Sequence, residues 1–423
     1  MRPDDHPLRQ WAVDEMHLRR FAPVSKQCEI YQAVRLIDVP ERQKEDARLE
    51  ADRPFFDSWR HATRYAIGQA GPDIHFLWER HTEASTLTLI IAGDCPAAAR
   101  APYLEWLEGW TGVVIRATRV FVIPDEQDID ALLSRKAIDL DDLVSCHINA
   151  GLRIWSDFGI HDDGYGRLIV TAGDVNEAER GRIIQRVQEV GNYRNMAMMG
   201  FPTAQKYGPV VDTLEQKLSD HANRMAQSHD DDDDDELLQQ LADISAQLEM
   251  IRSGTEFRLS ATTAYAEIAA DRLQALQVKA IPNFQSLDEF TERRLVPAAR
   301  TCSVFRGRLE RIAGRISSVM HTLDVRVDTR IKAQNLVLTK SMERSTQLQL
   351  RLQTLVEGLS IIAAAYYAVG LIAHVIKGIA AIPKGNTAEI IIGASTLPVV
   401  LLIYLLVHRL KGSVLKETYS DQG

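Results

Sequence analysis

The chain has 423 residues and a formal net charge of −9, a length that implies roughly two to three domains with enough residues for a sizeable core. The acidic balance argues against nucleic acid as a partner, because phosphate binding draws on a basic stripe. Cys28, Cys95, Cys146 and Cys302 are scattered with no CxxC pair, which excludes a zinc site of that kind and a disulfide framework and leaves reduced thiols as the expectation.

The N-terminus, Met1-Arg2-Pro3-Asp4-Asp5-His6, has no apolar run behind it. It is not a signal peptide, so whatever precedes a membrane segment is expected to stay in the cytoplasm. Runs 74–80, 85–92, 113–124, 143–155 and 164–172 carry β-type composition. The third is β-branched and bounded by Gly112 and Pro124. Helical stretches at 101–109 and 125–136 lie between them. The pattern predicts an α/β or α+β N-terminal domain over residues 1–175, its sheet mostly antiparallel rather than doubly wound. A helix over 176–200, apolar at Ile183, Ile184, Val187 and Val190, leads away from it.

Candidate chemistry in this domain is sparse. His6, Glu15 and His17 form one set of possible metal ligands, and Glu79, His81 and Glu83 another. In the second set a strand's period of two puts all three side chains on one face, a donor set suited to zinc or manganese. The competing reading is a charged outer sheet face or carboxylates paired with Arg80. Gly164-Tyr165-Gly166-Arg167 is a glycine turn that lacks the Lys-Ser/Thr of a phosphate loop and the third glycine of a dinucleotide fingerprint. No GxSxG, HExxH or kinase signature occurs, and no catalytic residue or cofactor is implied.

A second helical block runs from Val211 to about Ala280 and contains the aspartates Asp230 to Asp235. Adjacent like charges repel, so this run reads as a solvated link between helices, with carboxylates able to cap the helix starting near Glu236. It lacks the glycine and spaced ligands of a calcium loop. Ser286 with Glu289 then forms a capping box for a new helix. From 298 to 382 there is no proline, and Leu309, Ile312, Ile316, Val319 and Leu323 recur at 3-4 spacing. The stripe continues more loosely through Ile331, Leu338, Met342, Leu352, Val356 and Leu359. This predicts a long, coiled-coil-like stalk over 176–358, packed either within the chain or against copies of itself.

Residues 359–376 read LSIIAAAYYAVGLIAHVI and 390–407 read IIIGASTLPVVLLIYLLV. Each run is free of Asp, Glu, Lys and Arg, and at about 1.5 Å per residue each spans roughly 27 Å, close to a hydrocarbon core. Pro383-Lys384-Gly385-Asn386 supplies turn chemistry for a tight hairpin. The expectation is a two-helix transmembrane hairpin over 359–407 and a cytoplasmic tail over 408–423. More Lys and Arg flank the hairpin than stand in its loop, in line with cytoplasmic termini. On the first span Ala363, Tyr367, Gly370 and His374 share one face of small and polar residues. That face suits helix packing or a pore.

Several motifs resemble a bacterial membrane-anchored family of unknown function numbered 3422. They are His6-Pro7-Leu8-Arg9, Trp78-Glu79-Arg80-His81-Thr82-Glu83, Arg180-Gly181-Arg182, Tyr193-Arg194, Arg293-Arg294-Leu295-Val296-Pro297-Ala298 and Tyr366-Tyr367-Ala368-Val369-Gly370-Leu371. The resemblance spans nearly the whole chain and implies an inner-membrane protein, with no activity to carry over. A looser architectural similarity is to CorA-type two-span channels, whose Gly-Met-Asn signature is absent here. Together these readings predict a membrane-anchored scaffold or sensor, not an enzyme. Its expected partners are the lipid bilayer, further copies of itself and a cytoplasmic protein, with an oligomeric ion channel as the alternative.

Overall fold

Cys28–Leu36, a segment the periodicity does not single out, is the central strand of the molecule's sheet. The computed structural model describes residues 6, 8–18, 22–127, 129–227, 233–378 and 386–420. In chain order its elements are α1 (Arg9–Leu18), β1 (Cys28–Leu36), α2 (Val39–Ala51), β2 (Ser58–Ala62), β3 (Tyr65–Ala70), β4 (Ile74–Arg80), β5 (Ala84–Ala92), α3 (Ala97–Glu108), β6 (Val113–Ile123) and α4 (Ile129–Arg135). There follow β7 (Val144–His147), β8 (Arg153–Ser156), β9 (Gly166–Thr171), α5 (Glu177–Met198), α6 (Gly200–Gln227), α7 (Asp233–Ala275), β10 (Lys279–Ala280), α8 (Leu287–Gly378) and α9 (Asn386–Ser420). The chain is mostly helical, as expected.

The ten strands form one sheet in the order β10-β7-β8-β9-β6-β1-β5-β4-β3-β2. Only β6 with β9 pairs in parallel, so the sheet is mostly antiparallel, as the sequence predicts. Register sorts the side chains onto two faces. Ile30 lies opposite Ile90 on one side and Val120 on the other, and Val120 is opposite Leu168. This row belongs to a core with Ile183, Ile184, Val187 and Val190 of α5. The opposite face presents Tyr31, Leu89 and Phe76 to Leu49 of α2, to Leu107 of α3 and to Trp110 just after it. Helices therefore cover both faces of β1, which explains its nearly continuous burial in place of clean alternation.

α5 starts where Asn176 accepts a hydrogen bond from the Glu179 amide at 2.8 Å, satisfying one of the helix's first N–H groups. At the start of α8 the expected capping box is half formed. Glu289 accepts from the Ser286 amide at 3.1 Å, while the Ser286 hydroxyl is buried without a partner.

Packing divides the chain into Met1–Met320 and His321–Gly423. Segments beyond residue 175 complete the sheet's core. Leu273, Leu276 and Leu287 join it, and β10 pairs with β7 at the edge. The region 176–358 contributes to both units. In the first unit Val211 and Leu214 of α6, Leu241 and Ile244 of α7, and Leu309, Ile312 and Ile316 of α8 are buried. Arg308 of α8 pairs with Asp212 and Glu215 of α6. Of the aspartate run, Asp230 to Asp232 lie outside the described residues. Asp233 opens α7 and Asp234 is buried, so that end of the run is helix rather than solvated link.

In the second unit residues 331–356 of α8 are exposed throughout. The apolar stripe that is buried up to Leu323 continues uncovered. Two helices here are long and apolar enough to cross a membrane, the better window in α9 having a mean hydropathy of 2.6 with none of it buried. Residues 379–385, which hold most of the expected hairpin turn, lie outside the described residues.

Candidate functional site

A buried cavity of about 70 Å³ lies between α5 and the sheet, lined by strands β1, β4 and β5 below and by α5 above. Its floor follows from register. Gln32 of β1 lies opposite Thr88 of β5, which is opposite Leu77 of β4, and the next rung carries Thr86 opposite Glu79. Polar residues thus interrupt an otherwise apolar sheet face. They are answered from above by Gln188, Asn192 and Tyr193 of α5.

Most of these groups pair with one another, while Gln188 Nε2 is buried without a hydrogen-bond partner. Gln32 Nε2 donates to Thr88 Oγ1 at 2.9 Å, and Asn192 Nδ2 donates to Gln32 Oε1 at 2.9 Å. Asn192 Oδ1 accepts from Arg116 of β6 at 2.7 Å, and Arg116 also donates to Gln188 Oε1 at 2.9 Å. The chain Thr88–Gln32–Asn192–Arg116–Gln188 fixes α5 laterally over the sheet, since a buried polar network tolerates few arrangements. α5 can lie this close because residue 181 is glycine: a Cβ there would stand 2.2 Å from the carbonyl oxygen of Ala22. The neighbouring Arg180 is buried and donates to the carbonyls of Ala172, Val24 and Val175 at 2.8, 2.6 and 2.6 Å.

The structure separates the expected ligand set. β4 ends at Arg80, and the His81 amide donates to the Ala84 carbonyl at 2.7 Å, so residues 81–83 form a turn and not a strand face. Glu79 and His81 do line the cavity. The His81 ring meets Thr86 Oγ1 at 2.8 Å and lies edge-on to Tyr193, with centroids 6.2 Å apart. Glu83 is taken by Arg258 of α7, which donates to its two oxygens at 2.9 and 2.6 Å. Burial, with Glu83 beside it, pushes the Tyr265 hydroxyl well up, and Tyr265 stacks on Tyr193. Glu83 therefore ties the β4–β5 turn to the helical bundle. Among the described residues no group of three or more His, Cys, Asp or Glu is arranged to hold a metal ion. The side chains of Glu15 and His17 lie outside the described residues. At about 70 Å³ the cavity has room for a few waters bridging its polar walls.

Glu79's neighbours serve a separate buried cluster on the other face. Glu45 of α2 is fully buried and accepts from Trp78 Nε1, Trp110 Nε1, Ser85 Oγ and Arg80 Nη2, each at 2.9 Å. Sequence reasoning missed Glu45, Gln32, Arg116, Gln188, Asn192 and Arg258. Gln32 and Arg116 leave a trace as polar residues inside apolar runs, whereas Glu45 and Arg258 stand in polar helical segments that give none.

In the second unit the predicted face Ala363, Tyr367, Gly370 and His374 is exposed, Tyr367 by 71%, while Ala365 is buried. Residues of this face therefore do not pack within the chain. His374 Nδ1 lies 2.9 Å from the Gly370 carbonyl.

A family model described as "Protein of unknown function (DUF3422)" matches residues 4–414. The chain belongs to the DUF3422 family. The expected looser similarity to CorA-type channels is not part of that match. No curated protein matches the chain. Within this DUF3422 protein the resembling motifs acquire physical roles. Trp78 and Arg80 hold Glu45, Arg180 and Gly181 seat α5 against residues 22–24, and Tyr193 joins His81 to Tyr265.

Proposed function

We propose that this DUF3422 protein is a membrane-anchored, self-associating scaffold or sensor without enzymatic activity. Its first unit lies on the cytoplasmic side of a bacterial inner membrane and meets a protein partner there. The observation that carries this reading is the uncovered apolar surface of α8 and α9, whose most apolar windows are 6% and 0% buried. Exposing that much contiguous apolar area to water is unfavourable, at about 25 cal/mol per Å², and a bilayer removes the cost. Lys340, Arg344 and Arg351 before the first span, and Arg409, Lys411 and Lys416 after the second, outnumber Lys377 and Lys384 between them. That bias supports cytoplasmic termini. Self-association is supported by Leu348, Leu352, Leu355, Leu359 and Ile362, which are exposed at heptad spacing along α8. The face bearing Tyr367, Gly370 and His374 supports close contact between spans of different copies.

Two measurements test this. After lysis the protein is expected in the membrane pellet and to resist alkaline carbonate extraction; release by carbonate overturns the anchor. In detergent its native mass is expected to be a multiple of 47.5 kDa after micelle correction, and a monomer overturns self-association. The small, polar span face, with His374 on it, favours ion conduction as a second reading. Absence of flux in liposomes carrying the protein removes it.

A further inference from the structure

On the sheet face that carries α5, two half-buried arginines have no acid beside them among the described residues. Arg116 of β6 and Arg194 of α5, with Arg167 of β9, line a second cavity of about 270 Å³. Among the described residues lining it there is no aspartate or glutamate. Arg116 donates to two neutral amides, Asn192 and Gln188. Arg194 lies over the rings of Phe158 and Phe290, 4.5 and 4.8 Å from their centroids. Its Nη1 is buried without a hydrogen-bond partner, as is Nε of Arg167. Arg167 alone has an acid, Asp163, at 3.2 Å. The carboxylate on the rung of Arg116 is Glu79, reached through Val34 and Thr86. At about 4.8 Å per strand it stands roughly 14 Å away, too far to neutralise the guanidinium.

Natural proteins seldom bury a charge without a partner, because desolvation is not repaid. Here burial, with the like charge of Arg194 added, pulls Arg116 down to about 9, and burial pulls Arg194 down to about 10. The backbone nevertheless makes room for the charge. Residue 191 of α5 is glycine, and a Cβ there would stand 2.6 Å from Arg116 Nη2. The cavity is flanked by Gly159 and Gly164 of the loop before β9, by Gly166 at the start of β9, and by Ile160, which is 85% exposed.

We propose that this cavity is a binding site for a small phosphate-bearing anion, with Arg116 and Arg194 as its counter-charges and Arg167 beside them. Two guanidinium groups call for two negative charges on a compact group, which a phosphoryl dianion supplies in a shape that matches the planar fork. The volume lies just under the roughly 300–1,000 Å³ of ordinary ligand pockets, so the ligand is of the size of phosphate, pyrophosphate or a short phosphomonoester, not a nucleotide. The inference does not rest on the membrane reading.

The test is calorimetric titration of the full-length, detergent-purified protein with pyrophosphate at constant ionic strength, with succinate as the comparison dianion. Saturable pyrophosphate binding is expected, weakened at least tenfold in Arg116→Met and in Arg194→Met. Absence of saturable heat overturns the proposal. So does tighter binding of succinate, which makes this a dicarboxylate site, and so does unchanged affinity in Arg194→Met, which puts the anion elsewhere. Should either arginine variant fail to fold by circular dichroism, Ile160→Glu places a repelling charge on an exposed residue without touching the core. It is expected to weaken binding severalfold, with the difference shrinking as salt rises, and unchanged affinity in that variant equally overturns the site.

Discussion

Glu45 accepts two indole N–H groups, a serine hydroxyl and an arginine. Because the partners are themselves buried or half-buried, removing the carboxylate strands several donors at once. Glu45→Ala is expected to lower unfolding free energy by about 3–5 kcal/mol in urea titrations; a loss below about 1 kcal/mol would mean that water replaces the carboxylate freely. The four cysteines make a second residue-scale case. All are free and buried, and burial raises the Cys28 thiol to about 12 and the Cys146 thiol to about 11. A folded-state pKa above the unfolded value means that the thiol form is favoured by folding. That contribution is complete below about pH 9 and is lost as pH rises through 11 and 12. A thiol-reactive disulfide reagent at pH 8 is therefore expected to label none of the four until denaturant is added, and rapid native labelling would contradict the burial. At this scale the sequence was legible only in part. Glu79 and His81 do share a cavity, yet the period-of-two argument for Glu83 failed because β4 stops at Arg80. The partner of Glu83, Arg258, lies 175 residues further along, and no local spacing announces such a pair.

Elements were more legible than residues, and the misses have physical causes. β4, β5 and β6 stand where alternating or β-branched runs put them. The run 143–155 divides into β7 and β8 at a turn where Ala150 takes φ 58°. β1 escaped notice because Glu29, Gln32 and Arg35 interrupt its apolar residues. Each is nonetheless paired inside: Glu29 with Arg119 at 2.6 Å, Gln32 with Thr88, Arg35 with the Trp110 carbonyl at 2.7 Å. α8 shows the limit of pattern reading. The same apolar stripe is buried at Leu309, Ile312 and Ile316 and exposed at Leu338, Leu352 and Leu359, and nothing in the spacing distinguishes a stripe covered by its own chain from one that waits for a neighbour. If the exposed part is the seam between copies, the triple variant Leu352→Gln, Leu355→Gln, Leu359→Gln is expected to reduce native mass in detergent by light scattering. The melting of the first unit should stay within about 1 °C, because surface substitutions away from packed contacts rarely exceed about 0.5 kcal/mol. An unchanged mass would assign self-association to the spans alone.

At the scale of the molecule, the packing division at Met320 implies that the first unit stands by itself. Its sheet closes with β10, and Leu309, Ile312 and Ile316 of the buried stripe of α8 also precede that point. A chain ending at Met320 is therefore expected to be soluble and to melt in one cooperative transition, measured by circular dichroism. A chain ending at residue 175, the boundary suggested by composition, is expected to aggregate for want of α5, whose Ile183, Ile184, Val187 and Val190 pack in the core on one sheet face. The position of that division also sets a clock. Residues 321–358 separate the finished first unit from the first apolar span. A ribosome adding about 5–20 residues per second takes roughly 2–8 s to make them. Small single domains commonly fold in less time than that, so a larger unit folding piece by piece gains several seconds to close its sheet and bundle while the segments most prone to aggregate are still unmade.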